Sequence, residues 1–142
     1  MKKYKLWIMS LLWAAVIFPP LFLTGCEKNT EALKKVRDIE YVLVETADVP
    51  LGLLSVIEER KERPFRVTYR DEADYYVAVG YGQKPTAGYE ILIQEVCETD
   101  RGIFVKTSIL GPEKSSHEKA AVTCPYIVLK MKYTGEKVIF ET

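Results

Sequence analysis

Few side chains of this sequence have the types and spacing that catalysis needs. The only histidine, His117, lies in a polar stretch directly after Ser115 and Ser116. A serine nucleophile requires a base and an orienting group brought to it by the fold, and side chains adjacent in sequence do not form such a triad. The carboxylates are scattered, and no glycine-rich phosphate loop is followed by a helix. The sequence therefore predicts a protein that is not an enzyme.

The three cysteines differ in what their positions indicate. For Cys97 and Cys124 two interpretations stay open: a disulfide formed in an oxidising compartment, or two buried thiols. Together with His117 they lack the paired spacing of a zinc site, so we expect no metal and no other cofactor. Cys26 stands apart from both, because it directly follows a long apolar segment.

The N-terminal segment is organised like an export signal. Three lysines precede an apolar run at residues 6–23, as in a signal peptide with a charged start and an apolar centre. The run ends in Leu23-Thr24-Gly25-Cys26, which resembles the bacterial lipobox. That resemblance implies cleavage before Cys26 and attachment of diacylglycerol to its sulfur. The alternative is an uncleaved membrane helix, and both interpretations place the following residues outside the cytoplasm.

The 142 residues divide into three predicted segments. Residues 1–25 are the signal peptide, residues 26–38 are the lipidated cysteine with a charged tether, and residues 39–142 are one folded domain. Within the tether, a short helix that carries Leu33 and Val36 is compatible with the sequence. Without residues 1–25 the net charge is −3, so no basic face for nucleic acid is expected.

The folded domain is predicted to be α+β, with mostly antiparallel sheet layers that suit a sandwich and one packed helix. A helix is expected to begin after Asp48-Val49-Pro50 and to end before Pro64. The run Tyr75–Gly82 is apolar on both faces, which indicates a central strand. About seven strands are predicted, at residues 39–46, 65–70, 75–82, 89–98, 103–110, 121–132 and 138–140.

The segment between the third and fourth predicted strands is rich in residues that restrict or free the backbone. Gly82 and Gly88 accept positive φ without a Cβ penalty. Pro85 fixes its own φ and favours an extended Lys84 before it. The Thr86 hydroxyl can bond to neighbouring backbone groups. We expect a stiff hairpin connection between two paired strands, presented at the surface for binding.

Tyrosines concentrate around this segment. Tyrosine combines a large apolar area with a polar tip and is enriched at protein interfaces. Its preference for strands explains the same concentration as core filling, so both interpretations stay open. The tyrosines in question are Tyr69, Tyr75, Tyr76, Tyr81, Tyr89 and Tyr126.

The same segment resembles the signature of the PrcB C-terminal domain family, in which a Lys-Pro-Thr-small-Gly-Tyr loop precedes an apolar strand. The matching residues are Gly82, Lys84, Pro85, Thr86, Gly88 and Tyr89. A second block of that family, Thr-x-Pro-Tyr, is similar to the segment with Thr123, Pro125 and Tyr126. The family takes its name from a lipoprotein that associates with and stabilises a surface protease complex. The resemblance therefore implies that these nine residues contact a partner protein.

Residues 85–89 are also similar to the Pro-Thr-Thr-Gly-Tyr loop of chagasin-type inhibitors of papain-like proteases. The function predicted first is a membrane-anchored, extracytoplasmic, non-enzymatic module that binds an exported protease or another envelope protein. Three alternatives follow from the same residues. They are a protease inhibitor acting through Pro85–Tyr89, a structural lipoprotein that binds a wall polymer, and a hydrolase that uses Ser115 or Ser116.

Replacing Cys26 tests the lipobox. We expect the Cys26→Ser chain to lose incorporation of labelled palmitate, because serine has no sulfur to receive the diacylglycerol. A Cys97→Ser chain is the control and should keep the label. Label that persists in Cys26→Ser, measured by autoradiography of the purified chain, would contradict lipidation at this residue.

Overall fold

The computed structural model describes residues 32–113 and 120–142, and two four-stranded sheets dominate this part of the chain. One α-helix and a short 3₁₀ turn at Thr46–Asp48 complete it. The elements are β1 (Lys35–Asp38), β2 (Val42–Leu43), α1 (Leu51–Arg60), β3 (Pro64–Asp71), β4 (Asp74–Tyr81), β5 (Glu90–Thr99), β6 (Gly102–Leu110), β7 (Tyr126–Lys132) and β8 (Val138–Glu141).

The strands divide between two sheets that are not continuous with each other. Sheet 1 has the order β1-β5-β6-β8, and sheet 2 has the order β2-β7-β4-β3. Neighbouring strands run antiparallel except for β6 and β8, which are parallel. The predicted α+β class, with mostly antiparallel layers in a sandwich and one packed helix, is confirmed. The predicted central strand is confirmed as well, because β4 lies between β7 and β3.

One apolar core lies between the two sheets. Val77, Val79 and Leu129 of sheet 2 are almost fully buried against Ile103 and Val105 of sheet 1. The alternation of side chains along each strand explains this, since every second residue points to the same face. The Tyr81 and Thr107 hydroxyls share a hydrogen bond of 2.8 Å between the sheets, so the buried Thr107 hydroxyl is satisfied.

A second core lies on the other face of sheet 2, beneath α1. Leu53 and Ile57 stand four residues apart on the helix, and both have no exposed area. Their partners on the sheet include Phe65, Tyr76 and Val128. Sheet 2 is therefore apolar on both faces, which explains why β4 reads as a continuous apolar run.

The start of α1 differs in detail from its prediction. The helix begins at Leu51 after Pro50, and no side chain caps it. Asp48, at the start of the predicted helix signal, lies in the 3₁₀ turn, where its backbone N–H donates to the Glu45 carbonyl at 2.9 Å. The fixed φ of Pro50 suits the entry into a helix, so the turn and the proline together start it.

The first predicted strand, at residues 39–46, is too long, because only β2 (Val42–Leu43) lies within it. The structure has β1 at Lys35–Asp38, inside the predicted tether, and the short β2 after it. The β1 strand is charged because it is an edge strand whose side chains face solvent, and Arg37 pairs with Glu98 at 2.6 Å. An exposed edge shows no apolar alternation, so its sequence resembles a solvated segment. The short helix considered around Leu33 and Val36 is also absent, because Val36 lies within β1.

The predicted hairpin between the third and fourth predicted strands is wrong too. These strands correspond to β4 and β5, which belong to different sheets. Both edges of β4 are already occupied, by β3 and by β7. No edge is left for β5, and the chain crosses to the other sheet instead. The segment after β4 is therefore a crossover loop.

Gly80 tests the close packing of sheet 2. A Cβ added there would lie 2.6 Å from Cδ1 of the Phe65 ring, which covers Gly80 from the paired position on β3. We expect Gly80→Ala to lower the free energy of unfolding by about 1–3 kcal/mol, because the buried ring must move. Thermal and denaturant unfolding followed by circular dichroism measure the loss.

The matched control is Gly111→Ala, whose Cβ would meet Tyr89 at an ordinary contact distance of 3.4 Å. This variant should unfold close to the wild type. Equal stability of the two variants would show that Phe65 does not pack on Gly80 as described.

Candidate protein-binding site

The crossover loop, residues 82–89, leaves β4 at a fixed point. Gly82 has a φ of +71° and Gly88 a φ of +83°, so both glycines use the left-handed backbone that was predicted for them. A Cβ on Gly82 would lie 2.9 Å from Pro64 Cδ. Glycine is therefore needed at residue 82 both for the backbone turn and for the close approach of β3.

The loop is hydrogen-bonded to the segment that precedes β7. Lys84 donates its N–H to the Thr123 carbonyl at 2.7 Å and accepts the Thr123 N–H at 3.0 Å. The Thr123 hydroxyl donates to the Thr86 carbonyl at 2.9 Å. The structure thus brings together Lys84, Thr86 and Thr123, which come from the two separate sequence blocks.

Two further backbone hydrogen bonds hold the entry to the loop. The Tyr81 N–H donates to the Pro125 carbonyl at 3.1 Å, and the Gln83 N–H donates to the Glu62 carbonyl at 3.1 Å. Glu62 lies just after α1 and was not predicted to take part. Its contribution is a backbone carbonyl, which any residue supplies, so no side-chain pattern in the sequence indicates it.

The loop presents a small and mixed surface. Pro85 and Gly88 are exposed, whereas Lys84, Thr86 and Tyr89 are half-buried. The Lys84 ammonium lies 5.9 Å from the centre of the Tyr89 ring, at the outer limit of a cation–π contact. The restrained backbone of the loop therefore carries a proline ring, a cation and an aromatic side chain.

Tyr126 does not join this surface. It begins β7, packs against the core beneath α1, and its hydroxyl shares a hydrogen bond of 3.2 Å with the Thr46 hydroxyl. Pro125 contributes its carbonyl to Tyr81 as described above. Of the second sequence block, Thr123 is hydrogen-bonded to Lys84 and Thr86, and Tyr126 has a packing role.

The other tyrosines mostly fill the cores. Tyr75 and Tyr76 are buried and, being adjacent on β4, face opposite cores. Tyr69 meets Tyr76 edge to face, with ring centres 6.4 Å apart. Tyr81 bridges the two sheets through Thr107. The core-filling interpretation accounts for these four, and Tyr89 is the tyrosine that remains at the loop.

The described residues bear on the disulfide and on metal binding. Cys97 and Cys124 are free thiols, which answers the open question of the disulfide. Burial raises the pKa of the Cys97 thiol, which keeps it protonated at neutral pH. Among residues 32–113 and 120–142, no three His, Cys, Asp or Glu side chains converge as metal ligands would. Ser115, Ser116 and His117 lie outside the described residues.

Cys26 and the apolar run before it also lie outside the described residues. Within residues 32–113 and 120–142, no helix has the length and apolar character needed to cross a bilayer.

The comparisons with known proteins identify the central part of the domain. A protein-family model described as PrcB C-terminal matches residues 75–132, which run from β4 through the crossover loop to the end of β7. Neither a curated protein nor a solved structure matches the chain. The matched segment contains all nine sequence-predicted contact residues, and it contains the hydrogen bonds between Lys84, Thr86 and Thr123. Over residues 75–132, which make up less than half of its length, the chain is similar to the PrcB C-terminal family.

Proposed function

We propose that this protein is a membrane-anchored, extracytoplasmic binding module, without catalytic activity of its own, that docks an exported partner protein through the crossover loop. The observation that carries the proposal is the attachment of the loop to Thr123. Three hydrogen bonds between residues 84–86 and Thr123 hold a backbone whose Pro85 ring is exposed.

A restrained loop suits binding for an energetic reason. Ordering a flexible loop on association opposes binding, and a loop already held in one conformation avoids most of that entropy loss. The positive φ values of Gly82 and Gly88 and the ring of Pro85 add to the same restraint. Because the loop is fixed at both ends, its exposed surface is presented in one shape.

An exported protease complex is the partner class that the family favours. The family takes its name from a lipoprotein that associates with such a complex, and the match of residues 75–132 supports carrying this role over as a proposal. The chemistry of the loop agrees with docking, since it offers apolar and hydrogen-bonding groups without a nucleophile or an acid–base pair.

Membrane attachment is proposed from the sequence. Cys26 follows the apolar run and the Leu-Thr-Gly motif, and each buried methylene of an attached acyl chain contributes about 0.8 kcal/mol to membrane binding. Two acyl chains on Cys26 would hold the domain at the outer face of the membrane, where an exported partner is found.

Site-specific crosslinking tests the docking surface. We expect a photoreactive residue in place of Thr86 to give a specific adduct with an exported protein in intact cells. The substitution leaves the loop attached, because the Thr86 group bonded to Thr123 is the backbone carbonyl and not the side chain.

The control carries the same photoreactive residue at Thr134, an exposed position beyond the far end of β7. An adduct at Thr86 that is absent at Thr134 supports docking through the loop. Identical patterns at both positions, or no adduct at Thr86, would contradict it.

Removing the Thr123 hydroxyl tests whether docking depends on the restraint of the crossover loop. We expect Thr123→Val to lower the free energy of unfolding by about 1 kcal/mol, since one hydrogen bond is lost at a half-buried site. The yield of the Thr86 crosslink should fall with it, because residues 86–88 become less restrained. Thr134→Val is the matched control, and its exposed hydroxyl should be dispensable. An unchanged crosslink yield in Thr123→Val would show that the Thr123 hydroxyl bond is not needed for docking.

A further inference from the structure

The β3 strand forms an open edge of sheet 2. It pairs along its whole length with β4, from Pro64 opposite Tyr81 to Asp71 opposite Asp74, and among the described residues no strand lies on its other side. A two-residue turn closes the β3–β4 pair, with Glu72 at a φ of +49°. In such a hairpin the pair next to the turn is hydrogen-bonded and the pairs then alternate. The backbone groups of Arg66, Thr68 and Arg70 therefore point to the open edge.

Two guanidinium groups stand along this edge on one face, and both are exposed. Arg70 lies 4.1 Å from the centre of the Tyr133 ring, and its Nε donates to the Glu72 carbonyl at 3.4 Å. The Nη2 of Arg66 donates to the Thr142 hydroxyl. Each group has five N–H donors and uses one of them in these contacts.

No carboxylate of the described residues forms an ion pair with either arginine, whereas Lys35, Arg37, Lys61, Lys106 and Lys130 each have such a partner. Arg66 and Arg70 are thus positioned by neutral groups and keep free donors.

On the opposite face of β3, the side chains are apolar. Phe65 is buried, and Val67 and Tyr69 are half-buried beside α1. A strand added to this edge would therefore meet positive charge on one face and apolar side chains on the other. Its own side chains alternate between the same two faces.

A second copy of this chain is not expected to pair with the open edge of β3. Pairing one β3 edge with another would bring arginines near arginines, and like charges placed opposite each other in a sheet are destabilising. Charged side chains on an edge strand oppose self-association for this reason. The same charges favour a strand that carries acidic side chains.

We propose that the β3 edge binds an extended acidic segment of a partner protein as an added strand. Arg66 and Arg70 are four residues apart, which corresponds to about 13 Å along a strand. The segment should carry carboxylates at positions i and i+4, opposite the two arginines, and apolar residues at positions i+1 and i+3. Carboxylates accept paired hydrogen bonds from arginine, and the open backbone groups of β3 supply the strand pairing. This inference rests on β3 alone and not on the crossover loop.

A peptide binding assay on the full-length chain in detergent tests the proposal. The probe is a fluorescein-labelled peptide whose central sequence is Glu-Val-Thr-Val-Glu, and fluorescence anisotropy at low salt measures its dissociation constant. We expect Arg66→Glu/Arg70→Glu to weaken binding at least about tenfold, since both charge-assisted contacts are lost. A peptide with Lys in place of Glu should bind no better to the wild type than to this variant.

Two controls distinguish binding at the β3 edge from an effect of net charge and from binding at the crossover loop. Arg60→Glu/Lys132→Glu changes the net charge equally at exposed positions on α1 and at the end of β7, and it should bind the peptide within about twofold of the wild type. Thr86→Ala should leave peptide binding unchanged, so failure of the loop proposal and failure of this one are distinguishable. Circular dichroism confirms that each variant is folded.

Amide hydrogen exchange locates the bound peptide. The peptide should slow exchange at Arg66, Thr68 and Arg70, whose amides point to the open edge, and should leave Val67 and Tyr69 unchanged. Three results would overturn the proposal. They are no binding at about 1 mM peptide, equal affinity in Arg66→Glu/Arg70→Glu, and slowed exchange that lies elsewhere.

Discussion

The position of β4 between β3 and β7 is the constraint on which the rest of the domain depends. Its backbone is paired on both edges, and its side chains are buried on both faces, toward sheet 1 and toward α1. One strand therefore belongs to both cores. Burial of apolar area is the main favourable term in folding, and the two cores cannot be separated without exposing β4.

The crossover loop is a consequence of this arrangement. Because β4 has no free edge, the chain that leaves it has to cross to the other sheet before it can form β5. The last residue of β4, Tyr81, is bonded to Thr107 on sheet 1 and to the Pro125 carbonyl. The loop therefore starts from a point fixed to both sheets. Because β7 is the neighbour of β4, the segment before β7 lies beside the loop, and Thr123 can bond to it directly. The restraint proposed to serve binding follows from the topology of the core.

The sequence predicted the elements that have a strong apolar signal. The β4 strand and α1 were located because buried faces leave a clear pattern, continuous in β4 and spaced by four residues at Leu53 and Ile57. The left-handed glycines of the loop were also predictable, since their conformation is local. By contrast, β1 is charged and was interpreted as a tether, and nothing in the sequence of β4 and β5 shows that they lie in different sheets. Pairing between strands is decided by the edges that remain free, which only the assembled fold determines. The bond between Thr123 and the loop was missed for the same reason.

The edge strands β1 and β3 both carry charged side chains, but they differ in whether those charges form ion pairs. On β1 the charges are matched: Lys35 pairs with Asp38 at 2.6 Å, and Arg37 pairs with Glu98 at 2.6 Å. Such exposed pairs add little stability, but they leave the strand with few unmet charges. On β3 the groups that Arg66 and Arg70 contact are neutral, namely the Tyr133 ring, the Glu72 carbonyl and the Thr142 hydroxyl, and each arginine uses one donor in them. The unmatched arginines on β3 repel the same charges on a second copy, and the same lack of an acidic partner favours an acidic strand from another protein.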